Sequence, residues 1–394
     1  MLANPVYNLA LYVYKYLSVR LQCQADKLAS LVVYVYNACM TTRIRPRGED
    51  VRRFILGNVE KHPAGITTLT AQHFSISRQA AHRHLKNLVT EKALTSSGKT
   101  SDRIYKLSAL LERQATYEIN PTLAEDLVWT KDIEPIVGTF SENVVDIWHY
   151  CFTEMFNNAM DHSNGTTIIF HVTKTAANTQ IVILDNGIGI FRKIQTAMNL
   201  TDERHAILEL SKGKLTTAPE KHTGQGIFFT SRLLDSFDIL SGSVYYSHEI
   251  GKEDDWIVER PQHQSGTAIF MKLNNHTSKT CKKIFDQYSD KEDLGFIKTI
   301  VPVRLAQYGN DKLISRSQAK RVLARVELFK MVVFNFERVP SIGQAFADEI
   351  FRVFANAHPG IEMFSVNANS EVKRMIASAK AEKPVEVPTG LSLL

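Results

Sequence analysis

The sequence is poor in the features that would mark a disulfide-stapled, zinc-bound or membrane-spanning chain. Its four cysteines, Cys23, Cys39, Cys151 and Cys281, include no Cys-x-x-Cys pair and no metal-ligand spacing, and the 13 histidines show none either. They read as reduced thiols of a reducing compartment, which places the chain in the cytoplasm. No apolar run approaches the roughly 18–20 residues that a membrane-spanning helix needs. No basic start is followed by a small-residue cleavage site, so a signal peptide is not expected. An apolar share of 44% and a charged share of 22% exclude disordered and collagen-like chains. At 394 residues the chain is long enough for two or three domains.

What charge there is lies unevenly. The formal net charge is +6, yet between Thr41 and Arg113 there are 14 Lys/Arg against 6 Asp/Glu, so the remainder is slightly acidic. A basic module on a near-neutral body is the balance of a nucleic-acid-binding domain, the alternative being a solubilising surface. Ahead of it lie two apolar stretches, Leu9–Val19 and Leu28–Ala38, interrupted by Lys15, Arg20, Asp26 and Lys27. Residues 1–40 read as an extension, or as a docking helix pair, before a functional chain that begins near Met40.

Residues 48–112 carry a helix–helix–helix–hairpin pattern. Val51, Phe54, Ile55 and Val59 give helical spacing over Glu49–Lys61, and His62-Pro63-Ala64-Gly65 ends it. Leu69–Phe74 predicts a second helix, and Ser77 is an N-cap for a third running to about Lys92. Strands are expected at Leu94–Ser96 and Arg103–Leu107. The stretch Ile76-Ser77-Arg78-Gln79-Ala80-Ala81-His82-Arg83-His84-Leu85 resembles bacterial winged helix-turn-helix regulators. That resemblance implies DNA binding, with Arg78, Gln79, Arg83 and Lys86 on the helix that enters the major groove and with Lys99 and Arg103 on the wing. A winged helix used for protein contact or dimerisation is the alternative.

Residues 125–275 hold the chemistry. Ser141–His162 has helical apolar spacing, and Glu154 and Asn158, four apart, share one face, able to bring a carboxylate and an amide to one place. Strand-like runs follow at Thr166–Thr173 and Gln180–Leu184, the second leading into Asp185-Asn186-Gly187-Ile188-Gly189. A polar stretch, Ser211–His222, reads as a lid before Thr223-Gly224-Gln225-Gly226-Ile227-Phe228-Phe229 and a helix at Ile227–Leu234. Glycine-rich backbone opening a helix is an anion cradle. Strands are expected at Phe237–Ser241, Val244–Ser247, Trp256–Glu259 and, after Gly266, Thr267–Leu273.

The order Glu-x-x-x-Asn-Ala, Asp-x-Gly-x-Gly, lid, Gly-x-Gly and Gly-Thr resembles the GHKL (Bergerat-fold) ATPases, which include gyrase, histidine kinases and anti-sigma factor kinases. The resemblance implies an α/β sandwich, a mixed sheet with helices on one face, binding ATP and Mg²⁺. Asn158 would coordinate the magnesium, and Asp185, with Thr267, would take the adenine amino group. Gly187 and Gly189 would lie against the base, Gly224 and Gly226 would wrap the phosphates, and Glu154 would be the general base. His162 would sit near the phosphates or cap its helix. Many relatives have a third glycine where this chain has Phe228, which puts lid closure and turnover in doubt. No paired-helix segment with a phospho-accepting histidine precedes the domain, which speaks against a sensor histidine kinase.

Residues 297–380 alternate strand (Val301–Gln307), helix (Ser317–Val326), strand (Lys330–Phe336), helix (Ile342–Ala355), strand (Glu362–Val366) and helix (Ser370–Ala379), a small α/β layer. Phe346, Ile350, Val353 and Phe354 are expected on one helix face. Phe334-Asn335-Phe336-Glu337-Arg338-Val339-Pro340-Ser341-Ile342-Gly343, with Phe346-Ala347-Asp348-Glu349, resembles the STAS-like domains found after GHKL modules. By that resemblance Ser341 is a candidate phosphoacceptor; alternatively it caps the helix, and Asp348 and Glu349 are surface charges. Residues 381–394 read as a tail. The assembly implies a multidomain α+β regulator whose Mg-ATP state controls DNA or partner contacts. Alternatives are an anti-sigma-type serine/threonine kinase acting on a STAS-like domain, and a DNA-dependent ATPase of the kind used in phage defence. The partners implied are ATP, DNA, a protein met through the STAS-like domain and a second copy of the chain.

Overall fold

The structure is a computed structural model that describes residues 46–99, 102–215, 224–249, 256–289, 295–307 and 312–381. The extension expected at 1–40, most of the expected lid and the 382–394 tail lie outside the described residues. Among the described residues no helix is long and apolar enough to cross a membrane.

The first module packs helices Pro46–Asn58, Ile66–Phe74 and Arg78–Thr90 against a two-stranded antiparallel hairpin, β1 (Leu94–Ser97) and β2 (Ile104–Leu107). Its small core gathers Val51, Ile55, Ile66, Leu85, Leu88 and Tyr105. The third helix starts where an extended Ser77 accepts the Ala80 N–H on its hydroxyl at 3.1 Å, relieving one of the unpaired donors of a helix N-terminus.

The body is a five-stranded sheet in the order β3-β4-β5-β7-β6, formed by β3 (Leu111–Glu118), β4 (Thr167–Lys174), β5 (Asn178–Asp185), β6 (Ser236–Glu249) and β7 (Trp256–Asn274). All four pairings are antiparallel, so the mixed sheet expected from the resemblance is corrected to an antiparallel one. The apolar residues of β4 and β5 that face the helices, among them Phe170, Val172, Ile181 and Ile183, lie in the main core with helix Glu142–His162. A smaller cluster, Val182, Leu184, Leu240 and Ala268, covers the other face.

Two further expectations need correction here. The sheet takes up the chain from Leu111, so a boundary at 112 cuts into a strand and a start at 125 comes too late. β3 hides its role because its inward face mixes Ala115 and Tyr117, which pack on the core, with Arg113, and Arg113 and Tyr117 both bind the fully buried Asp132 of the helix over 125–137. The four short strands expected between 237 and 273 merge into two long ones, β6 and β7, with register shifts around Gly242.

The third module is a parallel sheet, β10-β9-β8, formed by β8 (Lys298–Pro302), β9 (Met331–Asn335) and β10 (Glu362–Val366), with helices as the crossovers that parallel strands require. The expected strand Val301–Gln307 is corrected: the strand ends at Pro302 and a 3-10 turn, Val303–Ala306, follows. Helix Arg316–Leu323 opens with a full capping box between Ser315 and Gln318. Helix 344–357 contains a π turn at Glu349–Phe354. That extra residue in the turn rotates the face, burying Phe351 and leaving Val353 40% exposed, where an uninterrupted helix would have tucked Val353 inward.

Body and third module share one continuous core. At the junction, helix Glu203–Lys212 of the body ends in a buried cluster. Lys212 donates to Glu209 at 2.7 Å and to the Ala324 and Arg321 carbonyls of the third module at 2.7 and 3.0 Å. Arg325 reaches back to Glu209 at 3.1 Å and to the carbonyls of Gly213 and Lys214. Ser211 and Lys212, expected at the start of a lid, are therefore the end of a helix locked to the neighbouring module. Burial pulls the Lys212 ammonium below its ordinary pKa, and Glu209 holds it up. Glu209→Gln leaves the buried Lys212 and the half-buried Arg325 beside a neutral amide. It is expected to destabilise the protein by about 3–5 kcal/mol, the penalty for orphaning a buried charge, read as an earlier urea transition. A loss under about 1 kcal/mol would show the cluster to be solvated.

Candidate functional site

Helix Glu142–His162 buries Val144, Ile147, Trp148, Cys151, Phe152, Met155, Phe156 and Ala159 against the sheet. Glu154, Asn158 and His162 fall at four-residue intervals along its flank, and all three border a cavity of about 310 Å³. The same cavity is bordered by Asp185, Thr267, Gly224 and Gly226, with Ile183, Ile190, Ile194, Ile227, Phe228 and Ile269 among its apolar walls. Seven of the residues expected at a nucleotide site, His162 among them, thus meet in one place. Gly187 and Gly189 do not border it; they form the turn behind Asp185.

That turn fixes the carboxylate. β5 ends at Asp185, whose Oδ1 accepts the Gly187 N–H at 2.9 Å and the Thr267 N–H, from the neighbouring β7, at 3.2 Å. The Thr267 hydroxyl in turn accepts the Ile190 N–H at 3.0 Å. Burial pushes the Asp185 pKa up to about 6, and the N–H donors from Gly187 and Thr267 hold it from rising further. Gly187 is required by proximity, because a Cβ there would collide with the Ser163 carbonyl. Asn186 secures the same turn by accepting the Thr166 and Thr167 N–H groups at 2.8 and 3.0 Å.

At the opposite wall the described chain stops at Leu215 and resumes at Gly224, where the Leu215 N–H donates to the Gly224 carbonyl at 3.1 Å. Gly226 opens helix Gly226–Leu233 directly against Glu154, whose carboxylate would clash with any Cβ at that position. Phe228, two residues after Gly226, is buried. Its ring lies 4.7 Å from Phe296 and 5.0 Å from Tyr288, with the Arg232 guanidinium 3.8 Å from its centroid. Phe296 continues to Phe329 of the third module at 5.3 Å. Phe228 thus joins the cavity wall to the third module by packing.

One cavity residue escaped the motif reading. Lys193, on helix Ile190–Ala197, borders the cavity and donates to the His162 carbonyl at 2.6 Å and to Asn164 Oδ1 at 3.2 Å. The only hint in the sequence was its place three residues after Ile190 in a short amphipathic helix.

No group of three His, Cys, Asp or Glu able to cage a metal occurs among the described residues. Magnesium does not require one, since it is held by one or two protein oxygens together with substrate phosphates and waters. The adjacent Glu154 carboxylate and Asn158 amide fit that donor set.

Elsewhere, Gln79, Arg83 and Lys86 are exposed on helix Arg78–Thr90, and Lys99 is exposed at the hairpin end. Arg78 donates to Thr68 Oγ1 at 3.1 Å, and Arg103 lies 3.2 Å from His82 Nε2. Ser341 is half-buried and is not a cap, because the N-cap of the following helix is Gly343. Asp348, weighed as a surface charge, is buried and paired with Arg352, which holds its carboxyl below the usual range.

A family model described as a STAS-like domain of unknown function (DUF4325) matches residues 318–373. The third module therefore contains a STAS-like domain. No curated protein matches the chain.

Asp185 yields a prediction about stability. A carboxyl whose pKa is raised by folding binds protons more readily folded than unfolded, so its presence destabilises the protein above pH 6 and ceases to do so below about pH 4. Asp185→Asn keeps an oxygen for both N–H donors and removes the buried charge. It is expected to stabilise the protein by up to about 3 kcal/mol at pH 7.5, a gain that vanishes by pH 4. Denaturation at both pH values checks it, and a loss of stability at pH 7.5 contradicts it.

Proposed function

We propose that the chain is an ATP-binding regulator, with a GHKL-type cavity whose Mg-ATP state controls DNA or partner contacts made by the flanking modules. The observation that carries this reading is the meeting of Glu154, Asn158, Asp185, Gly224, Gly226 and Thr267, from distant parts of the chain, around one cavity. The buried Asp185 carboxylate would accept the adenine amino group, with Thr267 beside it, and the isoleucine walls suit a flat base. The backbone at Gly224 and Gly226, opening a helix, would face the phosphates. Asn158 would hold magnesium, which when bound would supply positive charge against the phosphates. In hydrolysis Glu154 would take a proton from water as the water oxygen bonds to the terminal phosphorus and the bond to the ADP oxygen breaks.

The regulatory part of the proposal is supported by where the modules attach. Glu60 of the first module accepts from Asn178 at 3.1 Å and from Lys272 at 2.7 Å, and these residues belong to β5 and β7, the strands that carry Asp185 and Thr267. The STAS-like module is attached through Lys212, Arg325 and the Phe228 cluster. Differential affinity of the arrangements for nucleotide is what would shift them. Phosphotransfer to Ser341 is a second reading, supported by its position outside the helix cap.

In titration calorimetry, Asn158→Ala and Asp185→Ala are each expected to weaken Mg-ATP binding at least about tenfold. Unchanged affinity in both refutes the site. Label from γ-labelled ATP appearing on Ser341 would favour the kinase reading.

For DNA, Arg78→Ala and Arg83→Ala together are expected to lower affinity and flatten its salt dependence. Unchanged binding to every duplex tried would refute groove recognition by this helix.

A further inference from the structure

The cavity contains one lysine whose placement the proposed chemistry has not used. We infer that Lys193 binds the α-phosphate of the nucleotide beside the ribose, an inference that rests on reading the cavity as an ATP site.

Charge comes first. The acids bordering the cavity are Glu154 and Asp185, and a triphosphate brings several more negative charges; the ammonium that borders it is Lys193. Its two acceptors, the His162 carbonyl at 2.6 Å and Asn164 Oδ1 at 3.2 Å, are neutral. An ammonium has three N–H groups, so one remains for a further acceptor. Ile190 and Ile194 of the same helix also border the cavity, so the aliphatic stem runs along its wall and carries the charge at its edge.

Position comes second. Glu154, Asn158 and His162 succeed each other along one helix at about 6 Å per four residues. The carboxylate and amide that suit the terminal phosphates and their metal stand at the Glu154 end, against Gly226. Lys193 is tethered to the His162 end, about 12 Å from the Glu154 level along the axis. Between Asp185, which fixes the base, and Asn158, the phosphate nearest that end is the first one.

Burial lowers the Lys193 pKa, with Asp161 opposing the shift, and a bound phosphate would oppose it further. The competing role is structural: a lysine that ties the end of helix Glu142–His162 to the loop at Asn164.

The test is affinity of the full chain for adenosine, AMP, ADP and ATP, with magnesium, measured by competition against a fluorescent adenine nucleotide for the native protein, Lys193→Met and Lys193→Arg. Lys193→Met is expected to weaken AMP, ADP and ATP by one common factor of about tenfold or more, and to leave adenosine within about twofold. Lys193→Arg is expected to recover most of the loss. Unchanged phosphate-bearing ligands overturn the inference. So does an equal loss for adenosine, which would make Lys193 a scaffold residue, or a factor that grows from AMP to ATP, which would place it on the outer phosphates. A native protein that binds none of the four overturns the ATP reading itself.

Discussion

A carboxylate held in an apolar wall by two backbone N–H groups, rather than by a cation, is the constraint on which the cavity is built. Asp185 can occupy that place because β5 ends there and Gly187 turns the chain beneath it. β7 contributes Thr267 from the neighbouring strand. The carboxyl is left with an unfavourable burial that folding does not relieve. A buried, desolvated carboxylate lining a cavity is the kind of group that marks a functional site.

The second constraint is mechanical. One wall of the cavity, at Gly226, Phe228 and Leu215, adjoins the junction with the third module. Gly226 opens the helix that carries Phe228, and Phe228 belongs to the aromatic cluster reaching Phe329. The Glu203–Lys212 helix ends in the buried Lys212, Glu209 and Arg325 cluster, and the segment after it leads to Leu215 at the cavity's edge. Packed aromatic rings and buried ion pairs have few alternative arrangements, so these junctions couple the packing of the cavity wall to that of the third module.

Much of the cavity's lining was legible in the sequence because its residues are tied to periodic elements. The four-residue spacing of Glu154 and Asn158 survives folding unchanged, and Asp185 with its glycines stands at a strand end that apolar residues announce. β10, expected at Glu362–Val366, lies there. What was not legible depends on distant partners. The inward arginine of β3 reads as a surface charge until Asp132 is seen beneath it, and Lys212 reads as part of a polar lid until the carbonyls of Arg321 and Ala324 close over it. Lys193 belongs to the same class, since its neighbours come from another helix. Val353 was misplaced for a local reason, a π turn that helical periodicity does not signal.

Hydrogen exchange of the full chain with and without saturating Mg-ATP tests the account most directly. It predicts slowed exchange at the Gly187 and Thr267 amides and in helix Gly226–Leu233, with a change carried into residues 203–212 and 321–325. Exchange that is identical with and without nucleotide at Gly187 and Thr267 would contradict it.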